Sequence, residues 1–383
     1  YYASRGLGDV YKRQGMEKGN QVLIKQAKLM ASNPSERTIC ARLMNDRFAL
    51  CLPREEFDEK RVADSVKELQ CEFTGNSFHL HMYMGVYEIR DRDEAVSIMV
   101  DKANIAADTI KNNYDCCVAY YDEHLLEISI EQRRLLGEFE PALQNDEFVM
   151  YLQPQVKRDG AAKGAEALVR WVHPSRGILT PYAFIDILEN AGLIYKLDLY
   201  IWEKAAQKLA EWKEKGYGSY HISVNISTKD FYIIDIYETF TGLINKYGIA
   251  ASNLHLEITE TTLMTDFEKN MNIIHKLQGV GFRVEIDDFG SGYSSLNMLK
   301  DISADVLKID MGFLRKSENE VKGQDILESI ITLAGKIGMD VITEGVETKK
   351  QLDMLTMMGC HEFQGYYFSK PVPVSEFEEK YLV

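Results

Sequence analysis

The second half of the chain alternates short apolar runs with segments of helical period. Eight runs predict strands: FVMYLQPQ, GAEALVRW, YHISVNIS, NLHLEITE, FRVEIDD, ADVLKID, DVITEGVE and CHEFQGYYF. One intervening segment, DFEKNMNIIHKLQGVG, places four apolar side chains on a single helical stripe: Phe267, Met271, Ile274 and Leu277. This alternation is typical of βα units around a parallel sheet. It favours a closed eight-stranded barrel, although a doubly wound open sheet also fits the pattern alone.

The first half shows a shorter mixture of helix and strand patterns. QVLIKQAKLM and DEAVSIMVDKANIAADTIKNN have a helical period, whereas RFALCLPRE and HLHMYMGVYEI are rich in strand formers. DEHLLEISIEQRRLLG is charged on one side and apolar on the other, which predicts a connecting helix. We therefore expect a small α+β domain over residues 15–122, a linker helix over 123–134 and the barrel over 135–383. Residues 1–14 match nothing that follows, and we set them aside as an extraneous or disordered segment.

Length and composition are those of an ordinary globular protein. The 383 residues can hold two domains, and the hydrophobic and charged shares of 45% and 27% are unexceptional. The formal net charge of −15 argues against a nucleic-acid polymer as partner, but not against a small phosphate-bearing ligand. No apolar stretch predicts a membrane segment, and no signal peptide is evident. The six cysteines lack CxxC spacing and indicate reduced thiols of a cytoplasmic protein.

Polar side chains fall where nearly every predicted strand of the second half ends. Eight of them stand there: Glu166, Asn225, Glu257, Asp287, Asp288, Lys308, Glu344 and Gln364. In a barrel of parallel strands the reacting groups sit at these C-terminal ends. Individually, Lys308, Asn225 and Gln364 have ordinary explanations as an ion pair, a turn cap and a turn residue. Their joint occurrence favours a site, because converging buried acids are costly without cations.

The candidate ligands are carboxylates and one amide. Hard oxygen donors suit Mg²⁺ or Mn²⁺ and argue against zinc or copper. Two such cations side by side are the usual arrangement for phosphodiester hydrolysis, and Arg170 offers a guanidinium fork for phosphate oxygens. The neighbouring Asp287 and Asp288 can share one target only at a strand end, because adjacent strand side chains point to opposite faces.

Taken together, these blocks resemble a known family. The tripeptide Glu166-Ala167-Leu168 is followed in order by VNIS, LEITE, DDFGSGYSSL, LKID, EGVE and QGYYFSKP. From about Leu135 to the C-terminus the chain resembles the EAL domain, a phosphodiesterase specific for the bacterial messenger cyclic di-GMP. The resemblance implies an α/β fold, a TIM-like (β/α)8 barrel, that opens cyclic di-GMP to linear pGpG with Mg²⁺ or Mn²⁺, two ions per active site. It also implies a homodimer formed through this domain.

The resemblance carries roles to individual positions. The first metal ion would be held by Glu166, Asn225, Glu257 and Asp287, and the second by Asp287 with Asp288. The attacking water would be oriented or deprotonated by Lys308 and Glu344, with Glu344 as the general base. The substrate would be contacted by Gln153, Arg170, Asp198 and Gln364. A regulatory loop linked to dimerisation would comprise Phe289, Gly290, Ser291 and Gly292, anchored by Glu260.

The first half resembles a GGDEF domain, the fold of diguanylate cyclases, in a degenerate form. ARLMNDRFALCLP aligns with the family pattern ARxGGDEFAxLLP, so that five residues fill the signature: Met44, Asn45, Asp46, Arg47 and Phe48. The first two replace glycines that admit the nucleotide, and the arginine replaces an acid near a metal site. Ser35 and Thr38 stand where the inhibitory Arg-x-x-Asp pattern belongs, and the opening strand is missing. The resemblance therefore implies an incomplete ferredoxin-like sheet without cyclase activity, in a regulatory role.

Two other interpretations stay open at the level of sequence. The chain would be a receptor or scaffold if it held cyclic di-GMP without cleaving it, but such a protein has no need of all the acids. Without the family, the barrel would also suit a Mg²⁺-dependent lyase or isomerase with Lys308 as the base. The DFGSGYSS and QGYYFSKP blocks disfavour that class of enzyme.

Overall fold

The computed structural model describes residues 16–31, 35–44, 46–73, 82–111, 116–289, 302–310 and 320–382. The chain forms two units, Tyr1–Arg134 and Leu135–Val383. Their division falls inside one long helix, Glu123–Gln144. The segment 1–14 that the sequence analysis set aside lies outside the described residues.

The first unit is a small α+β arrangement. Its described elements are α1 (Met16–Ala31), β1 (Ile39–Met44), β2 (Arg47–Cys51), α2 (Glu59–Phe73), β3 (Met84–Val86), α3 (Val96–Thr109) and β4 (Val118–Tyr120). Strands β1 and β2 form an antiparallel hairpin, and β3 pairs with β4 in parallel. α1 buries Val22 and Leu23 from the expected helical stripe. Gly85 is required in β3, because a Cβ there would lie 1.8 Å from the carbonyl oxygen of Ala103 in α3.

The degenerate signature occupies the β1–β2 hairpin. Met44 ends β1 and Arg47 begins β2, and the two residues pair across the strands. Phe48 is buried in the core of this unit, whereas Asp46 lies in the turn. Asn45 lies outside the described residues. The bulky residue Met44 therefore stands where the family pattern has a glycine, beside the turn of the hairpin.

The second unit begins within α4 (Glu123–Gln144), and its described residues form ten strands. The strands are β5 (Phe148–Lys157), β6 (Ala162–His173), β7 (Gly177–Leu179), β8 (His221–Ile226), β9 (Leu254–Thr259), β10 (Val284–Phe289), β11 (Val306–Asp310), β12 (Asp340–Glu344), β13 (Glu362–Phe363) and β14 (Val372–Pro373). The described helices are α5 (Ile185–Ala191), α6 (Ile194–Glu214), α7 (Asp230–Ile233), α8 (Ile236–Tyr247), α9 (Glu260–Thr265), α10 (Phe267–Val280), α11 (Glu320–Lys336), α12 (Lys349–Met357) and α13 (Val374–Tyr381).

The expected closed barrel is confirmed, and all eight predicted apolar runs form its strands. The ring runs β5-β13-β12-β11-β10-β9-β8-β6 and closes by pairing of β6 with β5. The other seven strands of the ring are parallel to one another, but β5 is antiparallel to both of its neighbours in the ring. The physical reason is the short turn over residues 158–161, because so short a connection joins only antiparallel strands. The βα alternation therefore holds from β6 onwards.

The alternation of side chains along each strand sorts the barrel into two environments. Val224, Leu256 and Ile286 are fully buried on the outer, helix-covered face of β8, β9 and β10. Their neighbours in sequence face the interior, which is filled by polar side chains that contact one another across strands. Because the strands from β6 to β13 are parallel, residues at their C-terminal ends meet at one mouth of the barrel.

Candidate active site

Lys308 lies at the centre of this mouth. It is the middle residue of β11, and its side chain is fully buried. Its Nζ atom contacts four carboxylate oxygens: Glu344 Oε1 at 2.9 Å, Glu257 Oε1 at 3.0 Å, Asp287 Oδ1 at 3.2 Å and Glu166 Oε2 at 3.4 Å. Burial opposes the ammonium charge, but the carboxylates outweigh burial and hold the pKa of Lys308 well above its ordinary value. Lys308 therefore carries a positive charge around which the acids converge.

The acids at this mouth exceed what one lysine can neutralise. Burial, followed by the charge of Glu166, raises the pKa of Glu257 well above its ordinary value. Burial also raises the pKa of Glu344 to about 8, although Lys308 opposes the shift. Glu257 Oε2 is buried and has no hydrogen-bond partner in the described part of the chain, whereas Glu257 Oε1 and Asp287 Oδ1 share the single Lys308 ammonium with two further carboxylates. The site therefore holds more negative charge than its own donors satisfy.

The two adjacent aspartates reach the same mouth through a backbone irregularity. Between Ile286 and Phe289 the pairing of β10 with β11 shifts by one residue, as in a β-bulge. Asp288 has φ = +55°, a left-handed conformation that aspartate tolerates better than most residues. The bulge removes the strict alternation of strand side chains, so Asp287 and Asp288 both turn towards Glu344. Asp288 was predicted to lie on a turn after the strand, whereas the structure places it within β10 at the bulge.

Three further predicted residues meet at Glu166 on β6. Its Oε1 atom accepts a hydrogen bond from Asn225 Nδ2 at 3.1 Å, and its Oε2 atom accepts one from Gln364 Nε2. Gln364 Nε2 also lies 3.4 Å from Oε1 of Gln153, which stands opposite Glu166 in the β5–β6 pairing. The structure thus brings together residues of β5, β6 and β8 with Gln364, which directly follows β13.

The donor set fits divalent cations. One oxygen from each of Asp287, Asp288 and Glu344 lies within 4.8 Å of the others, a spacing that one cation with oxygen ligands at about 2.0–2.6 Å can bridge. The unpartnered Oε2 of Glu257 points to the same requirement for positive charge. These acidic groups are the part of the site suited to hold a metal ion, and carboxylate oxygens favour hard cations.

Two residues of the site have no counterpart in the sequence prediction. Asp310 ends β11 opposite Glu344, and its charge helps burial and Asp287 to raise the pKa of Asp288. The sequence signal that could have identified Asp310 is its position at the end of the LKID strand. Tyr151 lies under Arg170, whose guanidinium carbon is 5.5 Å from the centre of the ring. This contact pairs residues of β5 and β6, so it depends on the register of the barrel.

Asp198, expected to contact substrate, lies instead in a second carboxyl pair. It belongs to α6, and burial together with Asp230 raises its pKa well above the ordinary value. Asp230 Oδ2 accepts hydrogen bonds from the backbone N–H of Ser227 at 2.8 Å and from its hydroxyl at 2.9 Å. The spacing Ser-x-x-Asp in STKD was the sequence signal for this local cap. A substrate contact of Asp198 stays a prediction.

The regulatory loop is only partly described. Glu260 begins α9 directly after β9, and Phe289 ends β10 with its side chain buried. Gly290, Ser291 and Gly292 lie outside the described residues. The role of this segment in dimerisation therefore stays a prediction.

Comparison with known proteins identifies the family. Residues 137–371 match the family described as EAL domain. The chain belongs to the EAL-domain family. Residues 9–115 match the family described as diguanylate cyclase, GGDEF domain, a match that begins inside the segment 1–14. Both resemblances inferred from the sequence motifs are thereby confirmed.

Several relatives of this EAL-domain chain have names that describe an activity. The bifunctional diguanylate cyclase/cyclic di-GMP phosphodiesterase MucR of Pseudomonas aeruginosa is 30% identical over 384 residues, which cover 97% of this chain and 55% of that protein. The cyclic di-GMP phosphodiesterase PdeR of Escherichia coli is 33% identical over 240 residues, or 63% of this chain and 36% of that protein. The chain thus spans about half or less of the length of these relatives.

A solved structure agrees with the barrel. The structure described as PaMucR phosphodiesterase in complex with c-di-GMP superposes with a TM-score of 0.61 at 33% identity, covering 64% of this chain and 99% of that one. Among the described residues, the helices include none with the length and apolarity needed to cross a membrane.

Proposed function

We propose that this chain hydrolyses cyclic di-GMP to linear pGpG, in a reaction that depends on divalent cations. The observation that carries the proposal is the group of five carboxylates around one buried lysine at the C-terminal mouth of an EAL-family barrel. The names of MucR and PdeR, and the c-di-GMP complex of the MucR phosphodiesterase, support the choice of substrate.

The proposed metal ligands are shared between two cations, both of them Mg²⁺ or both Mn²⁺. Glu166, Asn225, Glu257 and Asp287 would hold one ion, and Asp287 with Asp288 would hold the second. Bound there, the two ions would supply Lewis acidity to the phosphate and lower the pKa of water. The unpartnered Oε2 of Glu257 supports this assignment.

The protein side chains then position the reactants. Glu344 acts as the general base, because its carboxylate lies beside Lys308 and the Asp287–Asp288 pair at the mouth where the water would bind. Lys308 holds the attacking water and the developing negative charge. Arg170, fixed over Tyr151, binds a phosphate oxygen, and Gln364 holds the reactant beside Glu166.

In the reaction the water oxygen forms a bond to one phosphorus as the bond from phosphorus to the 3′ oxygen breaks. The attacking water gives one proton to Glu344, and the 3′ oxygen takes a proton from solvent and leaves as a hydroxyl. The product keeps the phosphate on its 5′ end, which is pGpG.

The remaining parts of the proposal concern the whole protein. The first unit has a regulatory role without cyclase activity, because Met44 and Arg47 replace signature residues at the β1–β2 turn. The barrel forms a homodimer, and the cysteine pattern supports a cytoplasmic location.

A chromatographic assay tests the proposal. The purified chain is incubated with cyclic di-GMP and Mg²⁺ or Mn²⁺, beside Glu166→Ala and a control, Glu347→Gln, at an exposed acid of the same EGVE block. We expect pGpG from the parent and the control, and a loss of at least about 100-fold in rate for Glu166→Ala. Binding of cyclic di-GMP without pGpG would instead favour a receptor or scaffold. If the chain neither binds cyclic di-GMP nor produces pGpG, the choice of substrate is overturned.

A further inference from the structure

A second group of ligand-type side chains lies at the opposite, N-terminal mouth of the barrel. His221, His255 and Glu285 are the first or second residues of β8, β9 and β10, whereas the active-site residues of these strands lie nearer their C-terminal ends. All three side chains are buried, and Glu285 is 0% exposed. The proposed phosphodiesterase chemistry uses none of them.

In each of the two histidines, Nε2 contacts a residue outside the group of three candidate ligands. His255 Nε2 lies 3.2 Å from the carbonyl oxygen of Ser252, which can only accept, so this nitrogen donates. His221 Nε2 lies 2.7 Å from Gln155 Oε1, another acceptor. Nδ1 of each ring is therefore the candidate ligand atom, and in His255 it would exchange its contact with Glu285 Oε1 for the metal ion. Metal-bound histidines are usually oriented in this way, with the second nitrogen donating to a carbonyl or carboxylate.

Glu285 completes the set. Its Oε1 atom lies 2.6 Å from His255 Nδ1 and accepts a hydrogen bond from the hydroxyl of Ser223 at 3.2 Å. Its Oε2 atom is buried and has no hydrogen-bond partner in the described part of the chain. One candidate ligand atom from each of the three residues lies within 4.8 Å of the other two. A buried carboxylate that keeps one unpartnered oxygen and lies beside two imidazoles favours a cation.

We propose that His221, His255 and Glu285 form a second metal site, selective for Zn²⁺-class ions. Two imidazoles and one carboxylate suit Zn²⁺ and Co²⁺, whereas the all-oxygen acids at the other mouth suit Mg²⁺ or Mn²⁺. Three protein ligands leave a further coordination position. That position faces a cavity of about 500 Å³, which all three side chains line.

The ring geometry indicates how the site closes on a metal. The two imidazoles stack in parallel, with centroids 3.8 Å apart and an interplanar angle of 4°. Because nitrogen lone pairs lie in the ring planes, the rings must splay to share one ion. His221 is fixed, since a Cβ at Gly164 would lie 2.4 Å from its ring. Both rings border the cavity, so it offers the space into which His255 can tilt away from the closely packed His221.

Calorimetry and cobalt absorption spectroscopy test the site. The metal-stripped full chain is titrated with Zn²⁺ and with Co²⁺ in excess Mg²⁺, without substrate, so that the result is independent of phosphodiester hydrolysis. We expect one equivalent of Zn²⁺ to bind, and Co²⁺ to give the intense visible bands of a low-coordinate site with nitrogen ligands. His255→Gln should weaken Zn²⁺ binding by about 10–100-fold. The control His275→Gln, at an exposed histidine of α10, should bind as the parent does.

Two further variants separate the possible results. Glu285→Gln keeps the shape of the side chain and should also weaken Zn²⁺ binding, while tryptophan fluorescence confirms that the barrel is folded. Asp288→Asn alters only the acidic mouth and should leave the cobalt bands unchanged. Cobalt bands that disappear in Asp288→Asn, or persist in His255→Gln and Glu285→Gln, would overturn the proposal.

Discussion

The charge imbalance around Lys308 predicts that Glu344→Gln stabilises the metal-free protein. Glu344 has a pKa of about 8 in the folded chain against 4.5 ordinarily, so at neutral pH its folded carboxyl keeps a proton that the unfolded chain releases. Glutamine has nearly the same shape as that protonated form. The substitution therefore changes the folded site little but removes the ionisation that favours unfolding.

The expected magnitude follows from proton linkage. The folded state binds more protons than the unfolded state between pH 4.5 and 8, so the free energy of unfolding of the parent falls as pH rises through that window. At pH 7 the difference spans about 2.5 pH units, or about 3 kcal/mol at 1.36 kcal/mol per unit. The Glu344 side chain is 16% exposed, so solvent screening and local relaxation lower this free-energy difference. We therefore expect the free energy of unfolding of Glu344→Gln to exceed that of the parent by about 1–3 kcal/mol at pH 7. At pH 4 the parent and the variant should differ by less than about 0.5 kcal/mol.

Urea unfolding in EDTA measures this effect on the barrel alone. The three tryptophans, Trp171, Trp202 and Trp212, are all buried in the second unit, so their fluorescence reports its unfolding. Glu376→Gln, at an exposed acid of α13, is the matched control and should change the free energy by less than about 0.5 kcal/mol. The reasoning is refuted if Glu344→Gln is no more stable than the parent at pH 7. It is also refuted if the variant gains as much stability over the parent at pH 4 as at pH 7.

Three further outcomes are expected. Asp288→Asn should fold at least as well as the parent, whereas Asp288→Val should be less stable than Asn by about 1–2 kcal/mol in urea unfolding, because a β-branched residue is strained at φ = +55°; equal stabilities would contradict the assigned conformation. Gly365→Ala should destabilise the barrel by more than about 2 kcal/mol, since its Cβ would lie 2.2 Å from the carbonyl oxygen of Val346, while Gly242→Ala on α8, with open space around it, should gain up to about 1 kcal/mol. Incubation of the chain with GTP and Mg²⁺ should yield no cyclic di-GMP by chromatography, and any product would contradict the degenerate interpretation of the β1–β2 hairpin.

The sequence predicted the barrel strands well because their signal is local. Each run is apolar, ends at a polar residue and is separated from the next by a helical period, as in the α10 segment that buries Met271, Ile274 and Leu277. The strand-end rule then brought Glu166, Glu257 and Lys308 to one mouth, and the structure places them in contact. The antiparallel course of β5 was not expected, because an apolar run carries no sign of strand direction.

What the sequence determined by itself was the set of elements, the family and the identity of the acids, since these depend on residue type and on spacing along the chain. What only the tertiary structure decided was the closeness of groups that are far apart in sequence. The bulge at Asp288, the ring of carboxylates on Lys308 and the His221–His255 stack all depend on the register between strands. Register is set by how the closed barrel packs as a whole, and the raised pKa values of its buried acids follow from distances that no single segment specifies.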